Sequence, residues 1–333
     1  MNVPNQYTDQ VILLITLNVQ RSTCNVQREP GRWDETADIE SGTLYAPNDT
    51  RRTLASHGAP CLSAPVEVII RPNADAAADL VAQIIAQELR ANPHIVLGLA
   101  TGRTMETVYA RLVEMHRCAE NPLDFSLCRT FNLDEYVGLG PDDPCSYRYY
   151  MNHHLFSKVN IDRRNTHLPN GLAADLDAEC QRYEDKIRQC NGIDLQLLGI
   201  GSAGHIGFNE PLSALRSRTR VKALSPVTLA QNAPLFPDPG KMPRRAITMG
   251  VGTILECRRC LVLATGSHKA DIVAKAVEGP ITAMISATAL QLHPRCTVVV
   301  DEEAAAKLQG TDYYRWVFEN EPEWEPFRTG RES

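Results

Sequence analysis

From Val66 onward, short apolar runs alternate with amphipathic stretches, and this alternation restricts the fold more than any other feature. "VEVII" (66–70) and "HIVLGLA" (94–100) are typical of buried strands, whereas residues 73–91 place their large apolar side chains on one helical face. The pattern repeats through "IDLQLLGI", "CLVLATG" and "CTVVVD". Strands separated by helices form parallel βαβ units, so the chain is predicted to fold as an α/β protein with a mostly parallel sheet covered on both faces.

The alternation also indicates the domain boundaries. Residues 1–64 are polar, rich in turn-forming residues and without sustained periodicity, and we interpret them as a flexible N-terminal extension. Residues 65–320 are predicted to form one α/β domain, and residues 321–333 a C-terminal tail.

Composition argues against several classes of protein. A net charge of -6 disfavours nucleic acid as a partner, and the apolar run at residues 11–19 is too short to span a bilayer. The ten cysteines are scattered, as in a protein of a reducing compartment, which favours a cytoplasmic location. Cys257 and Cys260 form a C-x-x-C without a second pair, so no metal site is predicted and both are interpreted as small residues leading into a strand.

Four predicted strands end in polar, glycine-containing or acidic loops: "TGRT" (101–104), "LDEY" (133–136), "GIGSAGH" (199–205) and "TGSHK" (265–269). In a parallel α/β sheet, ligands bind where the carboxyl ends of the strands meet. The sequence therefore predicts a small-molecule site built from these loops.

The third loop contains G-x-G-x-x-G at Gly199, Gly201 and Gly204, which is the spacing of a dinucleotide-binding turn. The supporting features are missing, because "NEP" (209–211) interrupts an immediate helix and no acid follows about twenty residues later. The same loop carries His205 and Glu210, which are suited to acid–base chemistry, although a lone histidine is often structural. Asp134 and Glu135 are a second candidate pair, with helix capping as the alternative role.

Together, "TFNLDEYVGL", "LLGIGSAGHIGFNEP", "SRTRVK", "ITMGVGTIL", "LATGSHKA" and "VEGPITAMISATALQLHP" resemble the glucosamine-6-phosphate deaminase family (glucosamine/galactosamine-6-phosphate isomerases). The resemblance runs from about Val66 to about Phe318. It implies a three-layer, modified Rossmann-like sandwich and a cofactor-free reaction that converts glucosamine 6-phosphate and water to fructose 6-phosphate and ammonia.

The same resemblance implies roles for individual residues. Asp134 corresponds to the base that carries a proton from the second to the first carbon, and His205 with Glu210 to the ring-opening pair. Thr101, Gly102 and Thr104 correspond to the phosphate-binding loop, and Lys269 to the phosphate-binding lysine.

Three positions depart from the family pattern. Ala203 replaces an acidic or amide residue before "GH", Pro234 replaces a phosphate-binding arginine, and Arg103 replaces a glycine of the phosphate loop. Arg103 either compensates for the lost arginine or obstructs the pocket. These departures keep open an alternative function as a catalytically weak or inactive regulatory homologue. A related phosphosugar lactonase is a further alternative, which the combination of "LDEY" and "FNEP" disfavours.

The resemblance also implies an effector site for N-acetylglucosamine 6-phosphate in a homo-oligomer, with a hexamer as one expected form. The corresponding residues are Ser213, Arg220 and Lys222, with Tyr313 as a fourth. Within "TRVK" (219–222), a strand would direct Arg220 and Lys222 to one face, where two cations could bind one phosphate. A solvated strand edge is the alternative interpretation.

Overall fold

The computed structural model describes residues 66–328. The predicted extension over residues 1–64 and the end of the predicted tail, residues 329–333, lie outside the described residues. In the described part, no helix has both the length and the apolar character needed to cross a membrane.

The strands are β1 (Glu67–Arg71), β2 (Val96–Leu99), β3 (Arg129–Asn132), β4 (Asp134–Tyr136), β5 (Thr166–His167), β6 (Leu195–Gly199), β7 (Arg220–Ala223), β8 (Arg245–Thr248), β9 (Arg259–Ala264) and β10 (Cys296–Asp301). The α-helices are α1 (Ala74–Ala91), α2 (Arg103–Arg117), α3 (Tyr147–Met151), α4 (Leu176–Gln189), α5 (Pro226–Asn232), α6 (Val251–Leu255), α7 (Ala270–Val277), α8 (Glu302–Ala305), α9 (Thr311–Asn320) and α10 (Glu325–Arg328).

Seven strands form one sheet in the order β1-β10-β9-β6-β2-β3-β5, and every pairing in it is parallel. Strands β2, β9 and β10 are buried along their whole length, because helices cover both faces of the sheet. The predicted α/β fold with a mostly parallel sheet is confirmed.

The helices begin where the sequence supplies a cap. The Asn73 side chain accepts a hydrogen bond from the backbone N–H of Ala76 at 2.9 Å and starts α1. Asp175 caps α4 in the same way, whereas α2 begins at Gly102 without a side-chain cap. The first turn of α2 therefore keeps amide groups available for a ligand.

A small antiparallel sheet in the order β4-β8-β7 was not predicted. The segment interpreted as one strand, "CRTFNLDEYVGL", divides at Leu133 into β3 of the large sheet and β4 of the small sheet. Asp134 of β4 and Arg220 of β7 both lie opposite Thr248 of β8. The small sheet thus brings residues that are distant in the chain to one edge of the molecule.

The packed structure continues beyond residue 320, where the predicted domain ends. Trp324 is fully buried, and its ring lies 6.0 Å from that of Phe318 and 5.9 Å from that of Phe327. Residues 322–328 therefore pack into the same core as the predicted domain.

Candidate active site

The loop after β2 leads into the start of α2, where the sequence predicts phosphate binding. Gly102 adopts φ 108°, a conformation that favours glycine, and so turns the chain from β2 into α2. The hydroxyl of Tyr150 donates a hydrogen bond to the Gly102 carbonyl at 2.8 Å and fixes this turn. Thr101 and Thr104 flank the uncapped start of the 15-residue helix, where amide groups and the helix dipole favour an anion.

Arg103 is the first residue of α2, and its side chain is exposed. Within residues 66–328, the left-handed backbone conformation of this loop falls on Gly102 and not on Arg103. The backbone therefore accepts a side chain at position 103, which removes the conformational objection to an arginine there.

Asp134 lies on β4 with 6% of its surface exposed. A Cβ atom added to Gly207 would lie 3.4 Å from Asp134 Oδ2 and 3.0 Å from Thr248 Oγ1, so this carboxyl group directly faces the loop after β6. Burial, with a smaller contribution from the charge of Glu135, raises the pKa of Asp134 to about 8. A carboxyl group with this pKa can both take up and return a proton near neutral pH.

Glu135 has a structural role, which is the alternative that the sequence left open for this pair. Its Oε1 accepts hydrogen bonds from the backbone N–H groups of Tyr136 (2.9 Å) and Tyr147 (3.0 Å), and its Oε2 accepts one from Arg148 (2.9 Å). Glu135 therefore anchors the start of α3 to β4, whereas the Asp134 carboxyl group faces the loop after β6.

His205 and Glu210 lie together in the loop after β6. The distance between His205 Nδ1 and Glu210 Oε2 is 3.7 Å, and neither atom has a hydrogen-bond partner among residues 66–328. The other oxygen of Glu210, Oε1, accepts a hydrogen bond from the backbone N–H of Ser225 at 3.0 Å. Burial lowers the pKa of His205, so its imidazole is neutral at pH 7 and can accept a proton.

In this loop, the space at Gly201 is occupied by the histidine side chain. A Cβ atom at Gly201 would lie 2.1 Å from His205 Nε2, so position 201 leaves room for the imidazole only as glycine. Gly204 adopts φ 77°. Lys269 donates a hydrogen bond from Nζ to the Ile200 carbonyl at 2.6 Å, and this brings the predicted phosphate-binding lysine to the same loop.

The two remaining departures also lie at this edge of the sheet. Ala203 is partly exposed in the loop that carries His205. Pro234 is exposed in a short 3-10 helix, residues 233–235, that follows α5. Its neighbour Asn232 donates a hydrogen bond to the Tyr136 hydroxyl at 3.1 Å, so this segment packs beside β4.

The sequence did not indicate two tyrosines between Asp134 and the phosphate loop. The rings of Tyr136 and Tyr147 lie 5.0 Å apart, and their hydroxyl oxygens are separated by 3.4 Å. The Tyr147 hydroxyl also contacts the side chain of Thr101. The one available signal was the position of Tyr136 in "LDEY", two residues after Asp134.

The predicted effector residues are brought together in part. Arg220 donates hydrogen bonds to Ser213 Oγ at 3.0 Å and to Asn209 Oδ1 at 2.9 Å. Lys222 follows two residues later on β7, where the alternation of a strand directs it to the same face. Tyr313 lies on α9, which packs against β1 at an edge of the large sheet, and its ring stacks on Trp316.

Among the described residues, one set of side chains could hold a metal ion. Sulfur atoms of Cys257 and Cys260 and a ring nitrogen of His293 lie within 4.8 Å of one another. The set lies at the amino end of β9, whereas Lys269 follows the carboxyl end, so it is separate from the candidate active site.

Known proteins with similar sequences indicate the family of this chain. The family model of glucosamine-6-phosphate isomerases/6-phosphogluconolactonase matches residues 72–299. A glucosamine-6-phosphate deaminase of Hahella chejuensis is 49% identical over 252 residues, which are 76% of this chain and 95% of that protein. One of Streptomyces coelicolor is 47% identical over 261 residues, covering 78% of this chain and 99% of the relative.

Solved structures agree with these matches. A monomeric glucosamine-6-phosphate deaminase is 42% identical, with a TM-score of 0.71 over 73% of this chain and 100% of the other. A 6-phosphogluconolactonase from Trypanosoma cruzi, 20% identical with a TM-score of 0.60, covers 74% of this chain and 98% of its own and shares the fold. The chain therefore belongs to the family of glucosamine-6-phosphate isomerases and 6-phosphogluconolactonases.

Proposed function

We propose that the protein is a glucosamine-6-phosphate deaminase, which converts glucosamine 6-phosphate and water to fructose 6-phosphate and ammonia. The observation that carries this proposal is the buried Asp134 carboxyl group facing Gly207, in the same loop as His205 and Glu210. Relatives that are 43–50% identical are named as this enzyme.

In this proposal the substrate phosphate binds at the uncapped start of α2. Backbone amides after Gly102 donate hydrogen bonds to its oxygens, and the ammonium group of Lys269 approaches from the loop after β9. Arg103 supplies a second cation next to the helix start. In the proposed complex, the sugar ring extends from the phosphate toward Asp134 and His205.

Ring opening requires a proton to leave the anomeric hydroxyl and another to reach the ring oxygen. The neutral imidazole of His205 accepts the first proton, and the carboxylate of Glu210, 3.7 Å away, stabilises the resulting imidazolium. Because neither facing atom has a partner among residues 66–328, the pair is free to close when the substrate binds.

Asp134 then removes the proton from the second carbon and returns it to the first carbon. The substrate carries an ammonium group on the second carbon, and this positive charge favours the ionised carboxylate that the empty site disfavours. The double bond formed between the second carbon and nitrogen is hydrolysed: water adds to the carbon, the carbon–nitrogen bond breaks, and ammonia leaves. The products are fructose 6-phosphate and ammonia.

The decisive experiment measures ammonia release from glucosamine 6-phosphate by the purified full chain, with Asp134→Asn as the matched inactive variant. Release by the native chain and a loss of at least about a hundredfold in the variant are expected. Binding of glucosamine 6-phosphate without release would favour the regulatory homologue, and hydrolysis of 6-phosphogluconolactone would favour the lactonase.

We further propose an effector site for N-acetylglucosamine 6-phosphate at Ser213, Arg220 and Lys222. Arg220 joins Ser213 to Asn209, which directly precedes Glu210, so a phosphate on this arginine would act on the active-site loop. Calorimetric titration of N-acetylglucosamine 6-phosphate into the native chain and an Arg220→Ala/Lys222→Ala variant tests the site. Equal binding to both proteins contradicts it.

The predicted homo-oligomer, with Tyr313 reaching an effector site of another subunit, is also a proposal. The solved relative described as monomeric makes the opposite outcome a defined alternative. Sedimentation of the full chain with and without the effector distinguishes them. A cytoplasmic location is proposed because eight cysteines of the described part are unpaired.

A further inference from the structure

A buried group of thiols lies where α6 leads into β9. The Sγ atoms of Cys257 and Cys260 are 3.3 Å apart. His293, which precedes β10, places its Nε2 at 3.6 Å from the sulfur of Cys257. All three side chains are buried, and Cys296 of β10 lies opposite Cys260 in the strand register. We call Cys257, Cys260 and His293 the thiol cluster.

The two thiols of the cluster differ in access. Cys257 lines a surface cleft of about 200 Å³ together with Ile187, Asn191, Arg218 and Glu256. Cys260 is fully buried within β9. Of the two thiol residues, Cys257 therefore borders the cleft from which a reagent would approach, and Cys260 does not.

The hydrogen bonds of His293 define which ring nitrogen carries its proton. Nδ1 accepts a hydrogen bond from the backbone N–H of Arg295 at 3.0 Å, so the proton of the neutral ring lies on Nε2. This Nε2–H group lies 2.8 Å from the Cys257 carbonyl and faces the Cys257 sulfur. It can stabilise a thiolate. A metal ion bound at Nε2 would require the proton to move from Nε2 to Nδ1. Nδ1 could then no longer accept the hydrogen bond from the backbone N–H of Arg295.

Hydrogen bonding within the cluster distinguishes the two thiols. Hydrogen bonding from Cys260, together with His293 and against the effect of burial, lowers the pKa of Cys257 to about 6. The hydrogen bond with Cys257 comes first among the causes that raise the pKa of Cys260, followed by the contact with Cys296 and by burial. The charged side chains Arg188, Arg218 and Glu256 line the cleft and complete the surroundings.

We propose that Cys257 and Cys260 form a redox-active dithiol in which Cys257 is the attacking thiol and low-molecular-weight disulfides are the oxidants. The Cys257 thiolate attacks one sulfur of the oxidant, forms a mixed disulfide and releases one thiolate, which takes up a proton. Cys260 loses its proton to solvent and attacks the Cys257 sulfur, and the second thiolate leaves. The dithiol loses two electrons, and the small disulfide is reduced to two thiols.

The test exposes the purified full chain to buffers of reduced and oxidised glutathione, followed by acid quenching, blocking of free thiols and tryptic mass spectrometry. Trypsin cleaves after Arg258 and Arg259, so Cys257 and Cys260 fall in separate peptides, 246–258 and 260–269. An intramolecular disulfide is then seen as these two peptides joined. We expect the joined pair in oxidising buffer and its disappearance in reducing buffer.

Variants in which one of the two cysteines is replaced by serine test which thiol attacks first. Cys260→Ser should trap glutathione on Cys257, whereas Cys257→Ser should leave Cys260 without an adduct. In the reduced native chain, Cys257 should be alkylated faster than Cys260, and His293→Gln should slow the alkylation of Cys257 because it removes the N–H group that faces the sulfur. Cys128, buried and with its pKa raised to about 12 by burial, is the internal control and should stay unmodified in the folded protein.

Three results would overturn the proposal. The first is the absence of joined peptides at any glutathione ratio while circular dichroism shows a folded chain. The second is an equal adduct on Cys260 in the Cys257→Ser variant. The third is one tightly held zinc ion per chain that protects both thiols from alkylation, which would assign the cluster to a metal.

Discussion

Replacement of Asp134 by asparagine tests the central electrostatic feature of the site, because it should lower activity and raise stability together. The carboxyl group is buried on β4, and its pKa is raised from an ordinary value of 3.8 to about 8. Between these two pH values the folded protein holds a proton that the unfolded chain has released. The free energy of unfolding therefore falls as the pH rises through this window.

The size of the effect follows from the linkage relation. One proton of difference between the two states changes the free energy of unfolding by about 1.4 kcal/mol per pH unit. Asparagine has no such proton. Between pH 5 and pH 7, both inside the window, the variant should therefore gain about 3 kcal/mol over the native chain, and the gain should level off above pH 8.

Urea denaturation of both proteins at pH 5, 6, 7 and 9 measures this difference in the free energy of unfolding. All other titrating groups contribute equally to both proteins, so their contributions cancel when one value is subtracted from the other. Asp142→Asn makes the same replacement of a carboxyl group by an amide at an exposed position, and it should change stability by less than about 0.5 kcal/mol at every pH. A stability difference between Asp134→Asn and the native chain that stays constant from pH 5 to pH 7 would refute the raised pKa. Retained ammonia release would refute the role of Asp134 as base.

Three further predictions concern the same site. Arg103→Gly should raise the KM for glucosamine 6-phosphate about ten- to a hundredfold, since a charge-assisted contact contributes about 1.5–3 kcal/mol. The control is Arg117→Gly, at the other end of α2. A lower KM in Arg103→Gly would show that the arginine side chain obstructs the pocket. Gly201→Ala should lower kcat about a hundredfold by displacing the imidazole of His205. Gly240→Ala, in an exposed turn, is the control and should leave kcat unchanged. An unchanged kcat in Gly201→Ala would contradict the close approach of position 201 to the His205 ring. The kcat/KM of the native chain should rise with pH toward a plateau above pH 8, because the Asp134 carboxyl group of the free enzyme must ionise before it can act as a base. A flat profile of kcat/KM between pH 6 and pH 9 would contradict a requirement for this ionisation.

The large sheet could be predicted because its strands are continuous apolar runs separated by helices with one apolar face. The edge where the loops meet followed from the same pattern, since parallel strands align their carboxyl ends. The small sheet could not be predicted in this way. β4 contains three residues, Asp134–Tyr136, and two of them are acidic. Only the pairing with β8, more than a hundred residues later, makes this segment a strand.

The distinction between Asp134 and Glu135 was also beyond the sequence. Both are buried carboxyl groups at adjacent positions of one strand, so they point to opposite faces. Glu135 meets the start of α3, where the backbone N–H groups of Tyr147 and Arg148 engage both of its oxygens. Asp134 meets the loop at Gly207. Their roles diverge because of what each face of a three-residue strand contacts, and that depends on tertiary packing.

The glycine loop shows how one spacing can serve two kinds of chemistry. In a dinucleotide site, glycines allow the backbone to approach a pyrophosphate at a helix start. Here the space at Gly201 is filled from within the chain by the imidazole of His205, and Lys269 is bonded to the carbonyl of Ile200 between the first two glycines. A pyrophosphate would have to displace both groups. In the proposed function, the sugar phosphate binds instead at the start of α2, which follows the neighbouring strand β2 and has no side-chain cap at Gly102. The proposed reaction therefore assigns the two tasks to different loops: the loop at Gly102 binds the anion, and the loop at His205 transfers the proton.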